Sequence, residues 1–309
     1  MGEIDSDTKI HVVRAVAWKD AIIKLLEPSS PYRPWGEEFD AEPGDAVLVM
    51  LETEPTSVIA ELVTIESRDG VEPAIARCMD TEKGGRPALL ELETLAHLTG
   101  LEVYRDESGV IARGAAGLAE FIARRVPASG GLRYRQGHST LAAARILLDS
   151  GGWCTGCRRE LDLTAANARY HVHIHTVDAD PAAPWTPVAY EPPEPVSDEY
   201  GPDSIRVTKW REPIRLPLDW PAALCDDCHD EMRMGGFTGF LDFRFSRHPR
   251  CPVCSARWTM RTMTSGFTDW RPREPWLRTT GCCSLGKWQC GACGHPFGGD
   301  DREDEPEDG

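Results

Sequence analysis

Four Cys-x-x-Cys pairs constrain the fold of this chain more than any other feature. They lie in the segments WCTGC, LCDDC, RCPVC and WQCGAC, and they use eight of the eleven cysteines of the 309-residue sequence. Two such pairs together supply the four thiolates of a tetrahedral structural Zn²⁺ site. The spacing therefore predicts two zinc sites, whose ligands are Cys154, Cys157, Cys225 and Cys228 in the first and Cys251, Cys254, Cys290 and Cys293 in the second.

The cysteine pattern also indicates a cellular compartment. We expect a reducing, cytoplasmic environment, because paired cysteines that bind metal explain the spacing better than a disulfide framework and no signal peptide precedes Lys9. No apolar run approaches the roughly 20 residues that span a bilayer, so we expect no membrane partner. Cys282 and Cys283 lie close to the last pair and leave the ligand set of the second site open.

The segment between the first two cysteine pairs is rich in histidine. In YHVHIHTV, His171, His173 and His175 recur at every second position. A period of two predicts a strand with the three imidazoles on one face. His229 directly follows the second pair, at the start of a predicted helix. Neutral histidine can activate water or bind a cation, which are the two tasks of phosphodiester hydrolysis.

This order of knuckle, histidine strand, knuckle and helix histidine resembles the HNH nuclease family over about residues 150–235. In that family a zinc-held pair of knuckles fastens a ββα unit around one catalytic divalent metal. The resemblance implies that His173 and His229 are metal ligands and that His175 is the general base, with the two strand roles interchangeable. It also implies Mg²⁺ or Mn²⁺ as the catalytic cofactor.

Two positions depart from the family pattern. Ile174 stands where the strand usually carries a second polar residue, and Asp219 and Trp220 stand where a loop Asn is usual. These departures leave a shifted or inactive site as an alternative. A further alternative is that the strand histidines bind an extra Zn²⁺ or lie in solvent.

The N-terminal part carries a second resemblance. A predicted strand and a helix starting at Trp18 are followed by a Trp35-Gly36 loop, a Pro-Gly-Asp turn and two strands. This order resembles the EVE and PUA-like superfamily over roughly residues 8–120, whose members are small β-barrels with flanking helices. Several members accept a flipped, modified base, which implies Trp18, Trp35 and Phe39 as pocket walls. The alternative is that these aromatic residues are core.

The formal charge of −16 is unevenly distributed. Residues 1–120 carry 24 acidic and 11 basic side chains, whereas residues 121–148 carry five arginines and no acid. Residues 233–278 carry nine arginines against three acids. Such positive stretches favour contact with phosphate, although solvated faces are the simpler alternative. Our candidates for phosphate contacts are Arg124, Arg125, Arg133 and Arg135.

These features predict an α+β protein. Its predicted segments are a reader at 1–122, a basic helical connector at 123–150, an HNH-like unit at 151–235, a zinc ribbon at 236–299 and an acidic disordered tail at 300–309. The connector helix has a cap at Ser139 or Thr140 and a stop at Gly151. Within the HNH-like unit, an acidic, proline-rich loop is predicted at 178–203 and a strand at 204–210.

A reader joined to an HNH unit resembles the modification-dependent (type IV) restriction endonucleases. We therefore expect DNA with modified cytosine as the partner, and we leave open whether a homodimer cuts both strands. The alternative function is a non-catalytic DNA- or RNA-binding protein with a degenerate HNH unit. Four tryptophans of the ribbon segment would contact bases or fill a small core, namely Trp258, Trp270, Trp276 and Trp288.

Overall fold

The protein is mixed α+β with several sheets, in agreement with the predicted fold class. The computed structural model describes residues 9–15, 17–27, 45–68, 71–77, 88–106, 109–113, 137–178, 184–185, 216–264, 274–280 and 286–298. The chain divides into two compact units. The first contains Met1–Ala179 and Pro221–His229, and the second contains Asp180–Trp220 and Asp230–Gly309. These boundaries differ from those of the predicted segments.

The first unit begins with a sheet of seven strands and two helices. These elements are β1 (Ile10–Arg14), α1 (Trp18–Leu26), β2 (Ala46–Leu51), β3 (Ser57–Arg68), β4 (Val71–Arg77), β5 (Ala88–Glu91), α2 (Leu92–Thr99), β6 (Glu102–Asp106) and β7 (Gly109–Arg113). The strand order is β4-β3-β2-β1-β7-β6, and β5 also pairs with β3. The pairings of the described strands form an open order and do not by themselves close the predicted barrel.

The strands of this sheet bury their apolar side chains in one core. β1 and β2 are parallel and are joined through α1, and the other pairings are antiparallel. Alternate strand positions face one side of a sheet, so the apolar side chains of β1, β2 and β3 can pack together with those of α2. The buried cluster comprises Ile10, Val12, Leu48, Val58, Leu95 and Leu101.

The rest of the first unit contains the elements that build the histidine region. They are α3 (Thr140–Ser150), α4 (Ala168–His171) and the strand pair β8 (Val172–His175) and β11 (Ala222–Cys225), followed by α5 (Asp226–Met234), which belongs to the first unit as far as His229. The predicted boundaries of α3 are confirmed, because Ser139 Oγ accepts a hydrogen bond from Ala142 N at 3.1 Å and Gly151 ends the helix at φ 64°. Helix α3 packs against both β8 and β11.

The predicted histidine strand is correct in part. β8 begins at Val172, and His171 is the last residue of the short helix α4. The prediction that all three histidines share one strand face is therefore wrong at His171, because the backbone is still helical there. The predicted strand at 204–210 lies outside the described residues. The strand that pairs with β8 is β11, in antiparallel register with His173 opposite Leu224.

The second unit has an aromatic core beside a four-stranded sheet. Its elements are β9 (Pro184–Trp185), β10 (Leu216–Pro217), α6 (Phe240–Ser246), β12 (Thr259–Thr264), β13 (Leu277–Thr280), β14 (Trp288–Cys290) and β15 (Pro296–Phe297). The sheet order is β13-β12-β14-β15. Trp258 and Trp276 are buried together with Phe240, Phe243 and Phe245, so these two tryptophans are core. Trp270 lies outside the described residues.

Helix α6 receives its cap from a distant residue. Gly239 stands at the N-cap position and has no side chain to offer. Instead, Asp219 Oδ1 accepts hydrogen bonds from Leu241 N at 3.0 Å and from Trp220 N at 2.7 Å. Trp220 itself is buried. Asp219 and Trp220, which stand where the HNH pattern has Asn, are therefore structural residues of the second unit.

Candidate metal and catalytic site

The first four-cysteine group, Cys154, Cys157, Cys225 and Cys228, is assembled from a turn, the end of β11 and the first turn of α5. Its four Sγ atoms lie within 4.8 Å of one another, and Cys157 Sγ is 3.8 Å from Cys225 Sγ. Thiolates around a tetrahedral Zn²⁺ with bonds of about 2.3 Å are about 3.8 Å apart. The prediction of a group that can hold zinc is confirmed.

Backbone hydrogen bonds shape this group. Cys154 N donates to Arg159 O at 2.9 Å, and Thr155 N donates to Ala223 O at 2.8 Å, which ties the turn to β11. A hydrogen bond from the Cys228 thiol, together with the backbone N–H groups of Cys157 and Cys225, lowers the pKa of Cys154 to about 4. The thiolate form, which binds zinc, is thus favoured at Cys154.

The second four-cysteine group, Cys251, Cys254, Cys290 and Cys293, also has its Sγ atoms within 4.8 Å of one another. Two of the Sγ–Sγ distances are 3.7 Å, between Cys251 and Cys293, and 3.5 Å, between Cys254 and Cys290. Burial raises the pKa of Cys290, and it raises the pKa of Cys293 to about 11. The four cysteines complete a ligand set, while Cys282 and Cys283 lie outside the described residues.

Beside the first four-cysteine group lies a histidine–aspartate cluster, formed by His171, His173, Asp226 and His229. His173 Nε2 is 2.7 Å from Asp226 Oδ1, and His171 Nδ1 is 2.7 Å from Asp226 Oδ2. The rings of His173 and His229 are stacked in parallel, with their centroids 3.8 Å apart. Hydrogen bonds from His173 and His171 lower the pKa of Asp226, which keeps the carboxylate charged.

The stack brings together two predicted metal ligands, His173 and His229, but their ring nitrogens do not point to one common ion position. The lone pair of an imidazole nitrogen lies in the ring plane, and a single ion cannot lie in the planes of two parallel, stacked rings. Apart from the two four-cysteine groups, no set of three ligating side chains in the described ranges lies within 4.8 Å. The predicted pairing of His173 and His229 around Mg²⁺ or Mn²⁺ stays a prediction.

Asp226 is the functional candidate that sequence reasoning missed. It lies three residues before His229, so both side chains project from one face of α5. This spacing is a visible signal, but Asp226 sits inside the cysteine knuckle, where it is easily taken for a spacer. His175, the predicted base, ends β8 opposite Ala222 and is half-buried. Its role stays a prediction.

The other predicted sites are described only in part. Trp18 is the first residue of α1 and is half-buried, whereas Trp35 and Phe39 lie outside the described residues. The phosphate-contact candidates Arg124, Arg125, Arg133 and Arg135 also lie outside them. A cavity of about 760 Å³ opens in the first unit, but its lining mixes charged, hydroxyl and apolar side chains, among them Arg14, Glu52 and Met50, and does not include Trp18.

Comparison of the chain with protein-family models, with curated proteins and with solved structures found no match. Within the described part of the chain, no helix is both long and apolar enough to cross a membrane.

Proposed function

We propose that this protein is a metal-dependent endonuclease that acts on DNA carrying modified cytosine. One observation supports it most: His173 on β8 meets Asp226 and His229 on α5 directly beside the first four-cysteine group. The order of strand, strand and helix around these residues is the order of the HNH unit that the sequence resembles. Histidines that contact a carboxylate next to a structural metal suit a hydrolytic site better than a purely structural role.

The roles are those that the HNH resemblance implies. His173 and His229 would hold the divalent cation, and His175 would accept the proton of the attacking water. A bound Mg²⁺ or Mn²⁺ would stabilise charge on the phosphate and on the leaving oxygen. The solvent-exposed fraction is 26% for the His173 side chain and 48% for the Asp226 side chain, so the cluster is open to solvent.

DNA recognition is proposed for the flanking regions. Trp18, Trp35 and Phe39 would hold a flipped base, because stacking compensates for the loss of base pairing. The arginines of residues 121–148 would contact the phosphates, since the sequence there is free of acidic residues. The acidic balance of residues 1–120 would restrict that region to local reading of one base.

The test is a cleavage assay on matched plasmids, one unmodified and one carrying 5-methylcytosine or 5-hydroxymethylcytosine, with Mg²⁺ or Mn²⁺. We expect cutting of modified DNA only, reduced about 100-fold or more in His229→Ala and in His175→Ala. His97→Ala is the matched control, because His97 is an exposed histidine on α2. Full activity in His229→Ala would refute the proposed site. Full activity in His175→Ala would mean that His173, and not His175, is the general base.

A non-catalytic nucleic-acid-binding protein is the second candidate. The parallel stack of His173 on His229 favours it, because the stack must rearrange before the two rings can share an ion. Ile174 in place of a second polar residue favours it too. The same assay separates the candidates: DNA that shifts in a gel but is never cut, with either metal, would support the binding protein.

A further inference from the structure

We infer that Lys19 of helix α1 is a positioning residue of the histidine–aspartate cluster, because its ammonium group holds the backbone turn from which His171 reaches Asp226. The catalytic consequence of this role rests on the proposed function, whereas the contact itself does not. Lys19 lies 150 residues or more before the backbone groups that it contacts. The N-terminal sheet thus takes part, through α1, in arranging the cluster.

Helix α4 is too short to be stable by itself. Forming a first helical turn fixes several backbone dihedrals for a single hydrogen bond, so an isolated turn of four residues is unfavourable in water. The alternation of histidine and apolar residues from His171 onwards also favours an extended chain, which is why the sequence predicts a strand there. Contacts from outside α4 are therefore needed to keep His171 helical.

Lys19 supplies such contacts. Its Nζ donates hydrogen bonds to Arg169 O and, at 2.6 Å, to Val172 O. The last carbonyl groups of a helix lack partners within the helix, and a lysine side chain can satisfy them. Val172 lies between His171 and His173, so the bond to its carbonyl group fixes the backbone that carries both imidazoles.

A second contact from α1 supports the same turn. Asp20 Oδ2 accepts a hydrogen bond from Arg169 Nη1 at 3.1 Å, and α1 packs against α4. The Lys19 side chain is half-buried, and burial lowers the pKa of its ammonium group, although Asp20 partly opposes this shift. Carbonyl oxygens thus replace part of the water around the ammonium group, which distinguishes Lys19 from a solvated surface lysine.

The turn held in this way directs His171 towards helix α5. His171 Nδ1 lies 2.7 Å from Asp226 Oδ2, and His173 Nε2 lies 2.7 Å from Asp226 Oδ1. In an extended chain, side chains two positions apart lie on the same face, so the helical turn gives His171 a direction different from that of His173. Each imidazole then contacts its own oxygen of a single carboxylate. The loss of Lys19 should disturb this arrangement.

The first experiment measures hydrogen exchange of backbone amides in the zinc-loaded full chain by NMR. The Val172 amide donates to Ala168 O and reports on the α4 turn. We expect this amide to exchange about tenfold or more faster in Lys19→Met, since two hydrogen bonds from a charged group are lost. Lys19→Arg keeps the charge and the donors and should restore most of the protection. Lys24→Met is the matched control, because Lys24 is an exposed lysine on the same helix.

Several results would overturn the inference. They are unchanged exchange of the Val172 amide in Lys19→Met, an equal increase in Lys24→Met, and exchange as fast in Lys19→Arg as in Lys19→Met. The amide of Leu48, in the buried core of β2, should exchange at the wild-type rate in every variant, and the zinc content should not change. An equal increase at Leu48 would mean that Lys19→Met weakens the whole fold, and it would refute a positioning role.

A second measurement needs no variant. In wild type, the ammonium protons of Lys19 should exchange with water about tenfold or more slowly than those of exposed Lys24, because they are held by carbonyl groups. Equal exchange of the two ammonium groups would overturn the inference even if Lys19→Met fails to fold.

DNA cleavage by the same preparations separates this inference from the proposed function. We expect Lys19→Met to lower kcat about tenfold and to leave KM unchanged, because positioning is lost and DNA binding is not. Unchanged kcat despite faster exchange at Val172 would refute the catalytic consequence. If wild type cuts no DNA while Val172 loses protection in Lys19→Met, the positioning role stands and the nuclease function is refuted. If wild type cuts modified DNA and Lys19→Met matches it in kcat and in amide exchange, the nuclease stands and the role of Lys19 is refuted.

Discussion

Each of the two four-cysteine groups consists of two Cys-x-x-Cys pairs, but the two groups have different surroundings. The first joins β11 to α5, and α5 carries Asp226 and His229. The second lies among short strands beside a core that includes Trp258 and Trp276. His248, three residues before Cys251 in the sequence, is buried and donates from Nδ1 to Thr259 O at 2.6 Å, which is a structural contact. The comparison teaches that one four-cysteine motif, able to hold zinc, occurs in two settings: beside polar side chains in the first unit, and beside a small aromatic core in the second.

The largest expected effect is the loss of either zinc. Structural Zn²⁺ contributes an apparent binding free energy of about 10 kcal/mol or more, so Cys228→Ser and Cys290→Ser should each lower the zinc content from two ions to one. Only Cys228→Ser should also abolish Mn²⁺ binding, because α5 is then no longer fixed. Metal analysis and Mn²⁺ titration check both variants. Loss of Mn²⁺ binding in Cys290→Ser would break the distinction between the two groups.

Core truncation in the second unit should have the next largest effect. The Trp276 ring makes edge contacts with Trp220 and Phe240, with ring centroids 5.9 Å and 5.6 Å away. Trp276→Ala should lower the free energy of unfolding by about 3–5 kcal/mol. Trp153→Ala is the control, because the Trp153 side chain is 49% exposed and its loss should cost far less. Urea unfolding measures both, and similar losses would contradict the aromatic core.

The helix caps give a smaller contrast. Asp219→Ala removes the acceptor of Leu241 N and Trp220 N, and should destabilise the protein by about 1–2 kcal/mol. Ser139→Ala removes the single bond from Ala142 N, and should cost about 1 kcal/mol. Thermal unfolding compares the two variants. A larger loss in Ser139→Ala would mean that the remote cap of α6 contributes little.

Sequence reasoning succeeded where a signal was local or chemically selective. Ser139 and Gly151 mark the ends of α3 because caps act within one helical turn. The cysteine pairs meet across 68 residues, yet a thiolate knuckle has few chemically suitable partners, so spacing alone identified them. Selectivity of the ligand chemistry compensated for the distance in sequence.

Reasoning from sequence failed where a common side chain finds a distant partner. Asp226 contacts His171 and His173 across 55 and 53 residues, and in the sequence only its spacing to His229 distinguishes it from Asp227. Asp219 caps α6 from 22 residues away for the same reason. Carboxylates accept hydrogen bonds from many donors, so only the fold decides which one they meet.

The smallest expected effect concerns the outer surroundings of the first four-cysteine group. Arg159 Nε donates to Cys157 Sγ at 3.4 Å, and this contact, together with the bond to Asp227, raises the pKa of the Arg159 guanidinium. Arg159→Gln should leave the unfolding transition unchanged, because the group is exposed, but it should speed zinc transfer to a chelator by about tenfold at most. Asp227→Asn should show a smaller increase, because Arg159 keeps its thiolate contact. A large change in the unfolding transition would mean that Arg159 helps to hold the knuckle itself. The stability of the first four-cysteine group would then depend on exposed side chains around it, which the spacing of the cysteines does not reveal.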